Sequence, residues 1–432
     1  MKGSKYQVLN NNYRIKRIGF LFFLLSVFAF SILITGCAKT YTRTALPQNL
    51  EDQVRVAGFE DVKGLRAWGD KPNKEFNETA ILSVKKESQS STQIGDEVYF
   101  LAISGGGADG AYGVGLLNGW SEAGTRPEFK LVTGISTGAL IATFAFLGSD
   151  YDQQLKESYT GSSDEDIYTK KSILTAYWRD SLFGVEPLKN LIAQNITQEV
   201  LQAVAREYEK GRFLLVGTTQ LDAQRLVIWN MGAIAASGKP GALDLFRSVL
   251  LASASMPSIF PPVFIPVSVN GQTYEEMHVD GGTFTEVMLY NEALSPMLKN
   301  VDDVKKIVGD NETFEKFLKR KRVLYVIKND QKEPEWSDVQ DRIAPIAGRA
   351  IGTLIKSHYD GDIYRIYVLS ERDEISFNLA SIPEGTNIKT TNGMFDTVYM
   401  QKLYNLAFEK AKNGYPWSNY PPGFQPVEEG QE

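Results

Sequence analysis

The sequence predicts an α/β fold, a mostly parallel sheet with helices on both faces. Two observations carry this. EVYFLAI (97–103) and FKLVTG (129–134) are short apolar runs without polar alternation, the pattern of strands covered on both sides. Each is followed by a glycine-rich turn and a helical segment, and strand–turn–helix repeated is the order a parallel sheet requires. A chain of 432 residues has room for one large domain of this kind with additions, and enough length to bury a sizeable core.

The elements follow in chain order. Residues 1–17 hold five Lys or Arg and no acid, and Ile18–Thr35 is uncharged and mostly apolar, so residues 1–36 read as a secretion leader. Residues 37–95 are polar and mixed. They read as a tether and an irregular N-terminal layer, with AWGD (67–70) and SQSSTQ (88–93) as loops. The α/β domain is placed at 96–415. Within it, AYGVGLLNGW (111–120) suits a helix packed closely through its glycines, and ALIATFAFL (139–147) a helix closed by Gly148. RFLLVGTTQL (212–221) and RLVIWN (225–230) read as strands, and LFRSVLLASASM (245–256) as a helix ended by Pro257. The charged stretch 298–321 reads as a solvated helical face. RVLYVIKN (322–329) reads as a strand, PIAGRAIGTLIKS (345–357) as a helix, and IYRIYVLSE (363–371) as a strand. VYMQKLYNLAFEKAKN (398–413) has helical spacing with Gly414 after it, and 416–432 is a C-terminal tail.

Charge and cysteine use narrow the function classes. Without the five leader cations the chain carries 41 basic against 52 acidic groups, a net of −11, and nothing in it suggests the basic face that nucleic acid wants. Cys37 is the only cysteine, so no internal disulfide can form. It sits in ITGCAK (34–39), which resembles a bacterial lipobox, and the resemblance implies lipidation at Cys37 and anchoring to a membrane. Ala38 after the cysteine points to the outer membrane of a bacterial cell envelope. The oligomeric state is left open.

Three motifs carry chemistry. GISTG (134–138) fits G-x-S-x-G, where Gly134 and Gly138 let the backbone bend and lift the Ser136 hydroxyl clear of the sheet. SGGGADG (104–110) lies between a strand and a helix. It is no P-loop, since Ala111 and Tyr112 follow Gly110 where Lys then Ser or Thr are needed. As a dinucleotide fingerprint it lacks the acid at the end of the next strand, where the GISTG turn stands instead. The remaining reading joins the two turns on one edge of the sheet. The N–H groups of Gly105, Gly106, Gly107 and Ala108 then form an oxyanion hole for an ester carbonyl that Ser136 attacks. Serine needs a base, and the chain has only His278 and His358. MHVDGGTF (277–284) offers Asp280 after a strand-like run, with Gly281 and Gly282 keeping its surroundings open. A free carboxylate, with a pKa of about 4, is a poor base for a hydroxyl, so Asp280 must be desolvated in an apolar cleft.

Together these motifs resemble the patatin-like phospholipases. That family has a glycine-rich oxyanion loop (here 105–110), a G-x-S-x-G turn (134–138), a stretch like ASASMPSIFPPV (252–263) and a late D-G-G (280–282), in this order. The resemblance implies a three-layer sandwich and a lipid acyl hydrolase. It implies Ser136 as nucleophile, Asp280 as base of a Ser–Asp dyad, donors at Gly106 and Gly107, and no metal or cofactor. One departure is Asp109, where many members carry Arg or Lys; it weakens the case for a phosphate head group and favours neutral lipids or simple acyl esters. Two alternatives stand beside this reading: a Ser–Asp–His esterase with His358 as base, and a lipid-anchored binding protein without catalysis.

Overall fold

The computed structural model describes residues 43–90, 95–170, 181–289, 305, 312–331, 336, 338–390 and 392–424. The leader, Cys37 and most of the charged stretch 298–321 lie outside these residues. Among the described residues no helix is long and apolar enough to cross a membrane.

The strands are β1 (Arg55–Val56), β2 (Arg66–Trp68), β3 (Glu97–Ile103), β4 (Phe129–Ile135), β5 (Thr169–Lys170), β6 (Phe183–Gly184), β7 (Phe213–Gln220), β8 (Arg225–Asn230), β9 (Val263–Val269), β10 (Gln272–Asp280), β11 (Lys321–Gln331) and β12 (Ile375–Ile382). All but β5 and β6 join one 10-stranded sheet. Its centre is the parallel run β12–β11–β3–β4–β7. Antiparallel strands β8 and β2 extend it past β7, and β10, β9 and β1 form an antiparallel extension of their own.

The helices that matter here are α1 (Lys74–Ser90), α2 (Gly110–Glu122), α3 (Thr137–Leu147), α4 (Asp152–Thr160), α5 (Glu186–Asn195), α6 (Ala242–Ser253), α7 (Ile343–Arg372) and α8 (Thr397–Lys412). Side chains alternate across a strand, so β3 sends Leu101 and Ile103 into one core and Phe100 and Ala102 into another. The first core packs α2, α3, α6 and α8, the second packs Phe76 and Ala80 of α1 with Ile363 and Ile366 of α7. Each fully buried aliphatic contributes about 1.5–3 kcal/mol of transfer free energy. The result is the expected α/β architecture, helix layers on both faces of a largely parallel sheet. The glycines of α2 serve close packing as expected: a methyl at Gly115 or Gly119 would lie 2.1 or 2.3 Å from a carbonyl oxygen of α8.

Three segments differ from expectation. IYRIYVLSE (363–371) is no strand but the second half of the 30-residue helix α7. Buried Tyr359, Ile363, Ile366 and Tyr367 recur at helical spacing and share a core with residues of β11 and β12. Their β-branched and aromatic types mislead because tertiary packing overrides propensity. The stretch read as irregular before residue 95 carries β1, β2 and α1. Ala67 and Trp68 of AWGD pair with β8, and Ser90 still belongs to α1. The helix expected to run to Pro257 ends at Ser253, where a turn begins.

Candidate active site

The site is built by β7 acting as a common edge. β4 pairs parallel with the first part of β7, placing Ile135 opposite Gly217. β10 pairs antiparallel with the last part, placing Asp280 opposite Thr218. β8 occupies the other edge of β7 from Leu215 to Gln220, so β4 and β10 must share the remaining edge and meet end to end. Residues 136 and 280 are thereby brought to adjacent positions along one strand. The Ser136 hydroxyl donates to Asp280 Oδ2 at 2.7 Å.

Ser136 has φ 54° and ψ −128°, a conformation L side chains rarely adopt, at the sharp turn between β4 and α3. The strain is held in place by neighbours. The Ser136 N–H donates to the Ser253 hydroxyl at 2.9 Å, and that hydroxyl donates to the Gly217 carbonyl at 2.8 Å. Two residues on, the Ser255 carbonyl accepts the Asp280 N–H at 2.9 Å. The ASAS stretch thus grips both sides of the pair. Nothing in the sequence marked Ser253 or Ser255 for this, although the stretch they belong to carried part of the family resemblance.

Asp280 is buried and accepts a second bond, from the Gly282 N–H at 2.8 Å. No cation among the described residues offsets its burial, and desolvation pushes its pKa up to about 7, against the two hydrogen bonds that favour the anion. This is the desolvation that the sequence argument demanded. Gly281 and Gly282 form the 3-10 turn after Asp280, Gly134 lies in β4, and Gly138 in α3.

The glycine-rich turn lies against the same spot. A Cβ on Gly138 would sit 2.4 Å from the Ser104 carbonyl oxygen, so the two turns touch. The Gly105 N–H is already committed to the Glu286 carbonyl at 3.1 Å, which removes it as an oxyanion donor. Gly106 and Gly107 adopt φ 140° and 55°, and a side chain at Gly106 would collide with the Asn329 carbonyl at 2.1 Å. Their N–H groups, with that of Ala108, are the remaining donors beside Ser136; Gly110 opens α2. Asp109 turns away to α8, where the Tyr399 hydroxyl donates to it at 2.5 Å.

A cleft of about 990 Å³ opens over Ser136, Asp280 and the Gly105–Asp109 turn. Its apolar wall includes Leu140, Phe144, Leu155, Ile192, Phe260 and Met400, from five separate stretches of chain. His358 lies exposed on α7 and does not line it. His278 is fully buried, bonded through Nδ1 to Thr218 and through Nε2 to Glu276, and burial pushes its pKa down. Sequence reasoning missed one group in the cleft, Glu286, a buried carboxyl beside Gly105 and Gly282. Among the described residues no cluster of His, Cys, Asp and Glu is arranged to hold a metal ion.

The sequence model of the patatin-like phospholipase family matches residues 101–291, which span all the motifs above. An uncharacterized protein of Acanthamoeba polyphaga mimivirus is 26% identical over 215 residues, 48% of this chain and 63% of that protein, so the match spans less than two thirds of the relative's length. Among solved structures, VipD from Legionella pneumophila aligns with 74% of this chain and 67% of its own at 12% identity and a TM-score of 0.35.

Proposed function

We propose that this chain, whose residues 101–291 are a patatin-like phospholipase domain, hydrolyses lipid acyl esters through a Ser136–Asp280 dyad. The observation that carries the reading is the 2.7 Å bond between a strained serine hydroxyl and a desolvated carboxylate at the floor of an apolar cleft. Asp280 takes the Ser136 proton as Oγ attacks the ester carbonyl carbon. The carbonyl oxygen becomes an anion and is met by the Gly106 and Gly107 N–H groups. The tetrahedral species collapses with cleavage of the ester C–O bond, and Asp280 returns the proton to the departing alcohol. Water, deprotonated by the same carboxylate, attacks the acyl-enzyme, the bond from the acyl carbon to Ser136 Oγ breaks, and Asp280 returns the proton to Oγ as the fatty acid leaves. No cofactor enters any step.

The apolar wall supports an acyl chain as the bound part of the substrate. Asp109, tied to Tyr399, supplies no cation beside the oxyanion site, which favours neutral lipids or simple acyl esters over phosphate head groups. A chain lipidated at Cys37 works at the membrane that holds it, in our reading the outer membrane. The experiment is product analysis on mixed phospholipids and neutral glycerides, with Ser136→Ala as control. A fluorophosphonate probe should label the native protein and not Ser136→Ala. Labelling and turnover that survive the substitution reject the dyad in favour of another nucleophile, and no labelling of the native protein favours a binding role.

A further inference from the structure

Glu286 is tied into the site by its own backbone. Its carbonyl accepts the Gly105 N–H at 3.1 Å, and its N–H donates to Asp362 Oδ2 of α7 at 2.9 Å. The side chain is thereby turned in between two motif glycines. A Cβ on Gly105 would lie 2.5 Å from Glu286 Oε2 and 3.3 Å from the Ser136 Cβ. A Cβ on Gly282 would lie 2.4 Å from Glu286 Oε1 and 3.1 Å from Asp280 Oδ1. The two carboxyls therefore sit over the same glycine, and Glu286 also borders the oxyanion turn.

The charges around Glu286 are of its own sign. They are Asp280 of β10, Asp362 of α7 and Asp330 of β11. Tyr359 of α7 faces it as a neutral phenol, its ionisation suppressed by burial. Lys328 of β11 is committed to Asp360 at 2.9 Å. Asp280 receives hydrogen bonds from Ser136 and Gly282, whereas no donor among the described residues reaches the Glu286 carboxyl. When such a pair shares one proton, the carboxyl with fewer donors keeps it.

We propose that Glu286 is a positioning residue that carries the proton of a two-carboxyl pair, so that Asp280 alone holds the negative charge at Ser136. Burial, reinforced by Asp280, pushes the Glu286 pKa up to about 8, in line with this assignment. A second anion at this place would oppose the oxyanion forming at Gly106 and Gly107, and would tighten the hold of Asp280 on the proton it must return. Hydrolysis then needs Asp280 ionised and Glu286 neutral, which confines it to a window between the two apparent pKa values of the pair. The inference rests on the dyad reading given above and adds its alkaline limit.

The test is the pH profile of kcat/KM on a soluble short-chain p-nitrophenyl ester, from about pH 5 to about pH 10. The native protein should give a bell, falling about tenfold per pH unit on its alkaline side. Glu286→Gln holds a neutral amide at every pH, so the fall should vanish from that variant's own profile while the acid limb remains. A Glu286→Gln profile that keeps the alkaline fall, or a native profile without one, overturns the proposal. Ser136→Ala runs alongside: turnover surviving there sinks the serine reading, whereas an inert Ser136→Ala with an unchanged Glu286→Gln profile sinks the Glu286 assignment alone. Should Glu286→Gln not fold, the infrared spectrum of Ser136→Ala, which keeps both carboxyls, decides. A protonated carboxylic C=O band present at neutral pH and lost on alkaline titration supports the assignment, and its absence at neutral pH rejects it.

Discussion

Strand β10 carries two buried carboxylates four residues apart, and they behave in opposite ways. Glu276 meets the Arg66 guanidinium, with one bond at 3.0 Å and a second shorter one, and His278 Nε2 lies at 3.1 Å. Burial alone would raise its pKa, but Arg66 and His278 outweigh the burial and hold it far below the usual carboxylate range. Asp280 is as deeply enclosed and has hydroxyl and amide donors but no cation, and its pKa rises. Burial is common to both; the partner decides. A cation makes the first carboxylate a fixed anion useful for holding β10 to β2, and the second, without one, has the raised pKa that the proposed base requires.

Asp280→Asn tests the second half of this contrast and carries the largest effect. It removes the base while keeping the shape, and kcat/KM should fall about 10³–10⁴-fold. The same substitution should stabilise the protein above neutral pH. A carboxyl whose folded pKa is raised ionises first in the unfolded chain, so the native protein loses stability as pH rises from about 4 toward about 7. Urea midpoints of the two proteins at either end of that range measure the difference. If Asp280→Asn turns over at the native rate, Asp280 is no base.

Glu276→Gln tests the first half. It strands the Arg66 charge, which is mostly enclosed, and should cost about 3 kcal/mol of stability with turnover per folded molecule unchanged. Here the sign is reversed: the folded pKa is depressed, so the contribution is present above the unfolded carboxylate pKa and is lost as pH falls through the folded value. A variant as stable as the native chain at neutral pH would remove the contrast. The smallest effect belongs to His358→Ala. The imidazole is exposed and away from the cleft, so rates should stay within about twofold, inside the range of ordinary surface substitutions. A collapse of activity would restore the Ser–Asp–His alternative.

Much of the arrangement is legible in the sequence because the signals are local. A buried strand followed by a glycine-rich turn announces β3 and β4 with their turns, and the order of the motifs leads to Ser136 and Asp280. What was not legible is set by distant packing. IYRIYVLSE has the residue types of a strand and becomes helix because α7 lays Ile363 and Ile366 on the sheet. Ser253 and Ser255 look like loop residues until β7 and β10 come against them. Glu286 follows the D-G-G motif with no pattern of its own, and its importance depends on a carbonyl bonded to Gly105, far upstream. The commitment of the Gly105 N–H, which narrows the oxyanion donors, is invisible for the same reason.

The end-to-end meeting of β4 and β10 on β7 has a consequence for how the protein comes into being. Ser136 and Asp280 are 144 residues apart in the chain, and only the completed edge of β7 sets them side by side. Closing so long a loop is entropically costly and is compensated only when the non-local pairing forms. A chain that has assembled β3, β4 and their helices but not yet docked β10 holds a serine with no base. On the proposed mechanism, nascent or partly folded molecules cannot yet cleave an ester. Hydrolysis begins when the sheet is finished, and on refolding it should return after the helical signal rather than with it.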